Sequence, residues 1–170
     1  MTTEITPIHG GAVAAIVALM DSQRLLTLGV NRPDGWPQVT TVGYVNDGLN
    51  IYMSVARDSQ KLANILADPR VSIAIRSEAD RGDAVGLSLA GRATEVRDPD
   101  LIAGINRLVA ARYPDVNVYC PSGESVAVIH VAPLIIAPVA VADGRSRPQS
   151  FSVGEGIRDV AGPDGVSRLF

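Results

Sequence analysis

Short apolar or alternating runs, each closed by Gly, Pro, Asn or Asp, fill most of this 170-residue chain, and stretches with helical spacing interrupt them. The first such stretch opens on Thr6-Pro7, a capping residue followed by proline, and continues through Ile8, Val13, Ile16, Val17 and Met20. It predicts a helix over about 7–21. Arg24–Asn31 reads as a buried strand on Leu25, Leu26, Leu28 and Val30, and Pro33-Asp34-Gly35 as a turn. Pro37–Asn46, rich in Val, Thr and Tyr, and Leu49–Val55 flank Asp47-Gly48, the clearest hairpin signal present. A short helix over Asp58–Ala67, with Leu62, Ile65 and Leu66 on one face, ends at Asp68-Pro69. Strands are expected at Arg70–Arg76 and Ala84–Val96, and Gly86 and Gly91 inside the second mark bends or bulges. Asp98-Pro99-Asp100 caps a third helix striped by Leu101, Ile102, Ile105, Leu108 and Val109. Ser125–Val141 is a last strand, expected to be an edge in places because of its prolines.

This order is mainly β, with helices that do not alternate with strands and no Gly-rich loop joining a strand to a helix. That excludes a doubly wound α/β sheet. About six strands with long crossing connections predict an antiparallel barrel with flanking helices, because closure removes exposed edges. From about residue 143 the composition turns to Gly, Ser, Arg and Pro. The expected division is therefore a barrel domain over 1–142 and a tail over 143–170 that packs on the barrel or on a partner subunit.

Composition narrows the function classes. Hydrophobic residues make up 46% and charged residues 19%, a globular balance with a net charge of −3. A mildly acidic chain without a basic stretch is a poor nucleic-acid binder. The N-terminus has no basic region before its apolar stretch, and the run near Val126–Ala142 is broken by His130, Pro133 and Pro138. Neither reads as a signal peptide or a membrane span, so a cytoplasmic location is expected. The single cysteine, Cys120, has no internal disulfide partner and reads as a buried or idle thiol. His9 and His130 lack metal-ligand spacing, and His130 in its apolar strand reads as a satisfied core residue. Trp36 beside Pro37 reads as a plug at a turn or a cover for a cofactor edge.

The candidate chemistry sits where a strand ends and a helix begins, at Tyr52-Met53-Ser54-Val55-Ala56-Arg57-Asp58-Ser59-Gln60-Lys61. Free N–H groups at a helix start attract anions; Ser54 and Ser59 add hydroxyls, Lys61 adds a charge, and Arg57 is the candidate for a second. Of 15 basic residues Lys61 is the only lysine, which makes its position notable. The alternative is ordinary capping by Asp58 or Ser59 beside a solvated Lys61.

Gly35-Trp36-Pro37-Gln38-Val39-Thr40-Thr41-Val42, Asp47-Gly48, Ile51-Tyr52-Met53-Ser54, Ser59-Gln60-Lys61, Asp68-Pro69-Arg70-Val71-Ser72 and Leu89-Ala90-Gly91-Arg92-Ala93 follow one another in an order and at spacings that resemble the pyridoxamine 5′-phosphate oxidase superfamily over roughly residues 8–135. The resemblance implies a six-stranded antiparallel split barrel that forms a homodimer and holds FMN at the subunit interface. It implies that Ser54, Ser59, Gln60 and Lys61 bind the 5′-phosphate, and that Gln38, Val39, Thr40 and Thr41 line the isoalloxazine ring. It further implies a flavin-dependent oxidoreductase that moves a hydride to or from a small or planar substrate.

Departures from the family's oxidases restrict that expectation. Gln38 and Gly43 stand where those enzymes place basic residues, and the spacing from Ser54 to Lys61 is one residue longer. The chain after 142 has no Trp, Tyr or His to hold pyridoxal phosphate. The expectation is therefore a protein other than a vitamin B6 oxidase. Two alternatives stay open: a deazaflavin-dependent reductase, and a non-enzymatic flavin- or haem-binding module, the haem version needing His9 or His130 as axial ligand.

Overall fold

Alternation of apolar residues becomes strand wherever one face of a sheet is covered, and here nearly every run does so. The computed structural model describes residues 5–78, 84–115, 125–142 and 145–154. Its elements are β1 (Ile5–Pro7), α1 (Gly10–Ser22), β2 (Leu25–Asn31), β3 (Pro37–Gly43), β4 (Val45–Asp47), β5 (Asn50–Ala56), α2 (Gln60–Ala67), β6 (Arg70–Glu78), β7 (Ala84–Val96), α3 (Pro99–Arg112), β8 (Val126–Ala142), β9 (Arg145–Pro148) and β10 (Ser150–Ser152). Among the described residues no helix is long and apolar enough to cross a membrane. Cys120 lies outside the described residues.

The expected mainly β barrel with flanking helices is present, with more strands than expected and one parallel pair, β1 on β10. The strand β8, expected to be partly an edge, is instead the spine of the sheet. One side pairs with β7 from Ala84↔Val141 to Val96↔Val128. The other side is shared: β5 takes 126–131, β10 takes Ile135 and Ile136, and β9 takes 139–142. Pro133 and Pro138 fall in the gaps between these partners, where a missing N–H leaves no ladder bond unmade. The strands β9 and β10 carry no sequence signal of their own and form because β8 offers them an edge.

From β8 the sheet runs through β7, β6 and β2 to β3, and on the other side through β5 to β4. Leu26, Leu28, Val30, Ile51, Met53, Ile73, Leu89 and Ile129 fill the interior, each at most 3% exposed. Each such side chain contributes about 1.5–3 kcal/mol on burial. A smaller cluster, with Val45, Val96, Ile105 and Val128 at its centre, packs α3 on the outer side of β4, β5 and β8.

Two local devices position the candidate site. At Tyr44 the strand expected over 37–46 breaks into β3 and β4, since Val42, Tyr44 and Val45 are all buried and the alternation slips by one. Tyr44 turns inward and donates its hydroxyl to the Met20 carbonyl at 2.7 Å, while Val45 joins the α3 cluster. At the start of the chain the helix cap is His9, not Thr6: its Nδ1 accepts from Ala12 N at 3.3 Å, and Ile5–Pro7 pairs with β10. The second helix is capped by Ser59 and not by Asp58, one of the two residues that the sequence offered.

Asn46, only 2% exposed, ties α1, β4 and α3 together. Its Nδ2 donates to Asp21 Oδ1 at 2.9 Å and to the Gly48 carbonyl, and its Oδ1 accepts from Arg112 at 2.7 Å. Arg112 also reaches Asp21 at 2.8 Å. Asn46→Ala removes the hub and its hydrogen bonds to the charged groups of Asp21 and Arg112, so it is expected to lower stability by about 1–3 kcal/mol. Urea unfolding of the two proteins measures this.

Candidate functional site

At the end of the sheet, β3 pairs with β2 alone among the described residues. Its free side therefore presents unpaired backbone donors and acceptors. Gln38 and Thr40 are half-buried on the inward side of this strand, whereas Val39 and Thr41 are exposed on its outer face. The helix α2 lies against the same strand through a chain of side-chain amides. Asn64 Nδ2 donates to Gln38 Oε1 at 3.0 Å, and Gln60 Nε2 donates to Asn64 Oδ1 at 3.0 Å. Asn64 is 1% exposed, so this bridge is buried and fixed. The sequence-selected residues Gln38 and Gln60 are thus brought together by a residue that the sequence reading passed over. Its one signal was an amide between Leu62 and Ile65 on the apolar side of a short helix.

The cap Ser59 spends its hydroxyl locally. Its Oγ donates to the Ala56 carbonyl at 2.6 Å and accepts from Leu62 N at 3.2 Å. The N–H groups of Gln60 and Lys61 precede the helix's own acceptors and point out of its first turn. Lys61 is half-buried, and among the described residues no carboxylate meets it; desolvation pushes the pKa of its ammonium below the ordinary lysine value. A cation held in that condition beside free helix-start N–H groups is suited to an anion. Arg57 does not join it. Its guanidinium is bound to Glu95 at 2.8 Å, and Arg97 holds the same carboxylate at 3.2 Å.

Ser54 stands elsewhere. It faces out of the barrel beside Tyr52 and lines a cavity of about 260 Å³ under α3, closed by Ile105, Val109 and Tyr113. Lys61 does not line this cavity. Arg24, also at its wall, sits 5.4 Å above the ring of Tyr113. The structure therefore joins Gln38 to Gln60 around α2, places Val39 and Thr41 on the opposite side of β3, and gives Ser54 a pocket of its own.

The two histidines are engaged separately. His130 Nε2 is 2.9 Å from Asn50 Oδ1, its ring stacks on Tyr52 at 5.0 Å, and burial lowers its pKa. His9 spends Nδ1 on the α1 cap and packs edge-on against Phe151. Trp36 is 73% exposed, which rules out a plug.

Residues 12–134 match the sequence model of the family described as pyridoxamine 5′-phosphate oxidase. The chain belongs to this family. No curated protein matches the chain significantly. Solved structures of similar fold include a haem-binding protein from Mycobacterium smegmatis, 21% identical, with a TM-score of 0.67, covering 84% of this chain and 59% of that one. The haem storage protein HutZ from Vibrio cholerae is 17% identical, with a TM-score of 0.61, covering 71% of this chain and 88% of that one. An FAD-binding protein from Mesorhizobium loti is 13% identical, with a TM-score of 0.63, covering 76% and 93%. At such identities these likenesses establish the fold, and members of the family's fold carry flavin in one case and haem in others.

Proposed function

We propose that this family member binds FMN and acts as an oxidoreductase on a small or planar substrate other than pyridoxamine phosphate. The observation that carries the reading is Lys61: a half-buried cation that no described carboxylate meets, at the start of α2, tied to the free strand β3 through Asn64. A flavin has an anionic phosphate at one end and a flat heterocycle with alternating donors and acceptors at the other. The first suits Lys61 and the N–H groups of Gln60 and Lys61, with Ser59 holding the turn that aims them. The second suits the unpaired side of β3 over Gln38, Val39, Thr40 and Thr41. Ser54 lines the α3 cavity and stands apart from this anchor.

Bound flavin supplies the hydride chemistry, and the chain supplies anchoring, ring orientation and shielding from water. Arginine is absent at Gln38, where the amide instead fixes α2 against the strand. With Gly43 likewise in place of a basic residue, this supports a substrate other than pyridoxamine phosphate. The haem reading needs an axial ligand, and neither histidine lines the α3 cavity. A deazaflavin reading wants more basic residues around Lys61 than Arg57, which Glu95 holds.

A second copy of the chain completes the site in this reading. Trp36 and Val39, 73% and 62% exposed on and beside β3, supply apolar surface for it. The test is a titration of purified protein with FMN, haem and deazaflavin, followed by visible spectroscopy and light scattering. The expected result is a flavin spectrum that saturates with FMN and a mass near twice 17.8 kDa. Flavin fluorescence should recover on dilution, as the copies part. Spectral change with haem alone, or a monomer that holds FMN tightly, would overturn the reading.

A further inference from the structure

Like charges directly opposite one another on antiparallel strands repel and are normally avoided. Arg70 of β6 and Arg92 of β7 are register partners in this structure, and both line one groove of about 740 Å³ on the outer side of the sheet. Asp68 compensates the first of them. The Arg70 guanidinium donates to it from Nε at 2.9 Å and from the terminal nitrogen at 2.6 Å, and Asn31 Nδ2 adds a bond at 2.9 Å. These bonds hold the Asp68 carboxyl well below the usual carboxylate range. Arg92 is half-buried and meets no carboxylate among the described residues. A third guanidinium, Arg32, stands at the rim and is paired with Asp34, which does not line the groove. The groove thus gathers three guanidinium groups around one carboxylate that is already engaged.

The room beside this pair has a simple origin. The adjacent outward row runs Val39, Gly29, Ser72 and Ala90 across four strands in register, and the three inner members are small. Cutting the side chains down here opens a trough that ends at the arginine pair, with Val39 as an apolar wall and the Ser72 hydroxyl in its floor. The geometry points to an oxyanion site: a ligand whose phosphate or carboxylate head is held by Arg92 and Arg70, with its body over Gly29, Ser72 and Ala90. The charge repulsion between the two arginines is relieved when the anion is present. Neither Lys61 nor Ser54 lines this groove, and Val39 is the one residue it shares with those assigned to the flavin.

The experiment titrates inorganic phosphate and succinate separately into the full-length apo-protein at low ionic strength, read by calorimetry and thermal unfolding. Phosphate binding tighter than succinate assigns a phosphate head, and the reverse order a carboxylate head. Arg92→Gln is expected to bind about tenfold more weakly or worse, the loss of one charge-assisted bond. Arg92→Lys restores part of the affinity, and Lys61→Ala leaves the site intact. Without anion, Arg92→Gln unfolds at a temperature no lower than the parent, because it removes a like-charge pair. Equal affinity of Arg92→Gln and the parent would overturn the site, as would binding lost in Lys61→Ala instead. No binding of either anion, or marked destabilisation of anion-free Arg92→Gln, would do the same.

Discussion

Lys61→Ala is expected to weaken FMN binding by about 10–100-fold, the equivalent of about 1.5–3 kcal/mol for a charge-assisted bond. Thermal unfolding of the apo-protein should be unchanged or slightly raised. The two halves of this expectation have one cause. In the folded chain the ammonium is half-buried, no described carboxylate meets it, and desolvation lowers its pKa. It therefore sits at some cost without ligand, and deleting it breaks no ion pair. Binding should weaken and not vanish, since the backbone N–H groups at the start of α2 remain. Lys61→Arg should recover part of the affinity. Calorimetric titration with FMN and a thermal scan of the apo forms check both halves. Equal affinities would remove Lys61 from the site while leaving the cofactor question to the visible spectrum.

Gly91→Ala should cost about 1–3 kcal/mol, the usual range for overpacking a close contact, and lower the unfolding temperature by several degrees. A Cβ at this position would lie 2.7 Å from the Ala132 carbonyl oxygen and 2.9 Å from Val131 Cγ1. The oxygen belongs to the backbone of β8, the spine of the sheet, and it cannot rotate away as a side-chain end does. The register of β7 on β8 shifts at this point, between Ala90 and Gly91, so the two backbones approach closely where the sheet bends. Gly86→Ala is the control on the same strand. Its Cβ would meet Val139 O at 3.9 Å, an ordinary contact, and its effect should stay within about 0.5 kcal/mol. Urea unfolding of the three proteins decides it. Equal effects at both positions would show that backbone entropy, not the close approach, governs these glycines.

Much of the fold was legible along the chain because local signals and burial agreed. The hairpin at Asp47-Gly48 is there, with Gly48 at φ +57° and Asp47 opposite Asn50. The strand β7 spans Ala84–Val96 as its apolar run does, and the Asp98 cap accepts from Asp100 N as its motif predicts. The resemblance carried in Gln38–Thr41, Ser59–Lys61 and Asp68–Ser72 pointed to the family that residues 12–134 match.

The errors have a common form. Proline in 125–141 suggested an edge, yet β8 is central, because a strand of 17 residues can change partners along one side and place each proline in a gap. Thr6-Pro7 looked like a helix start, yet pairing with β10 took it into a strand. Both outcomes depend on which chain segment lies alongside, and no local propensity encodes that.

The sequence by itself determined the class of the fold, the order of its main elements, the family, and Lys61 as a singular charge at a helix start. These follow from side-chain period, turn chemistry and motif order, which are properties of neighbours in the chain. The tertiary structure alone decided what those charges face. It engaged Arg57 with Glu95, left Lys61 half-buried, linked Gln38 to Gln60 through Asn64, moved Ser54 to the α3 cavity and set Arg70 opposite Arg92. Burial, pairing and register are relations between segments distant in sequence, and electrostatic consequences appear only once folding has fixed those relations.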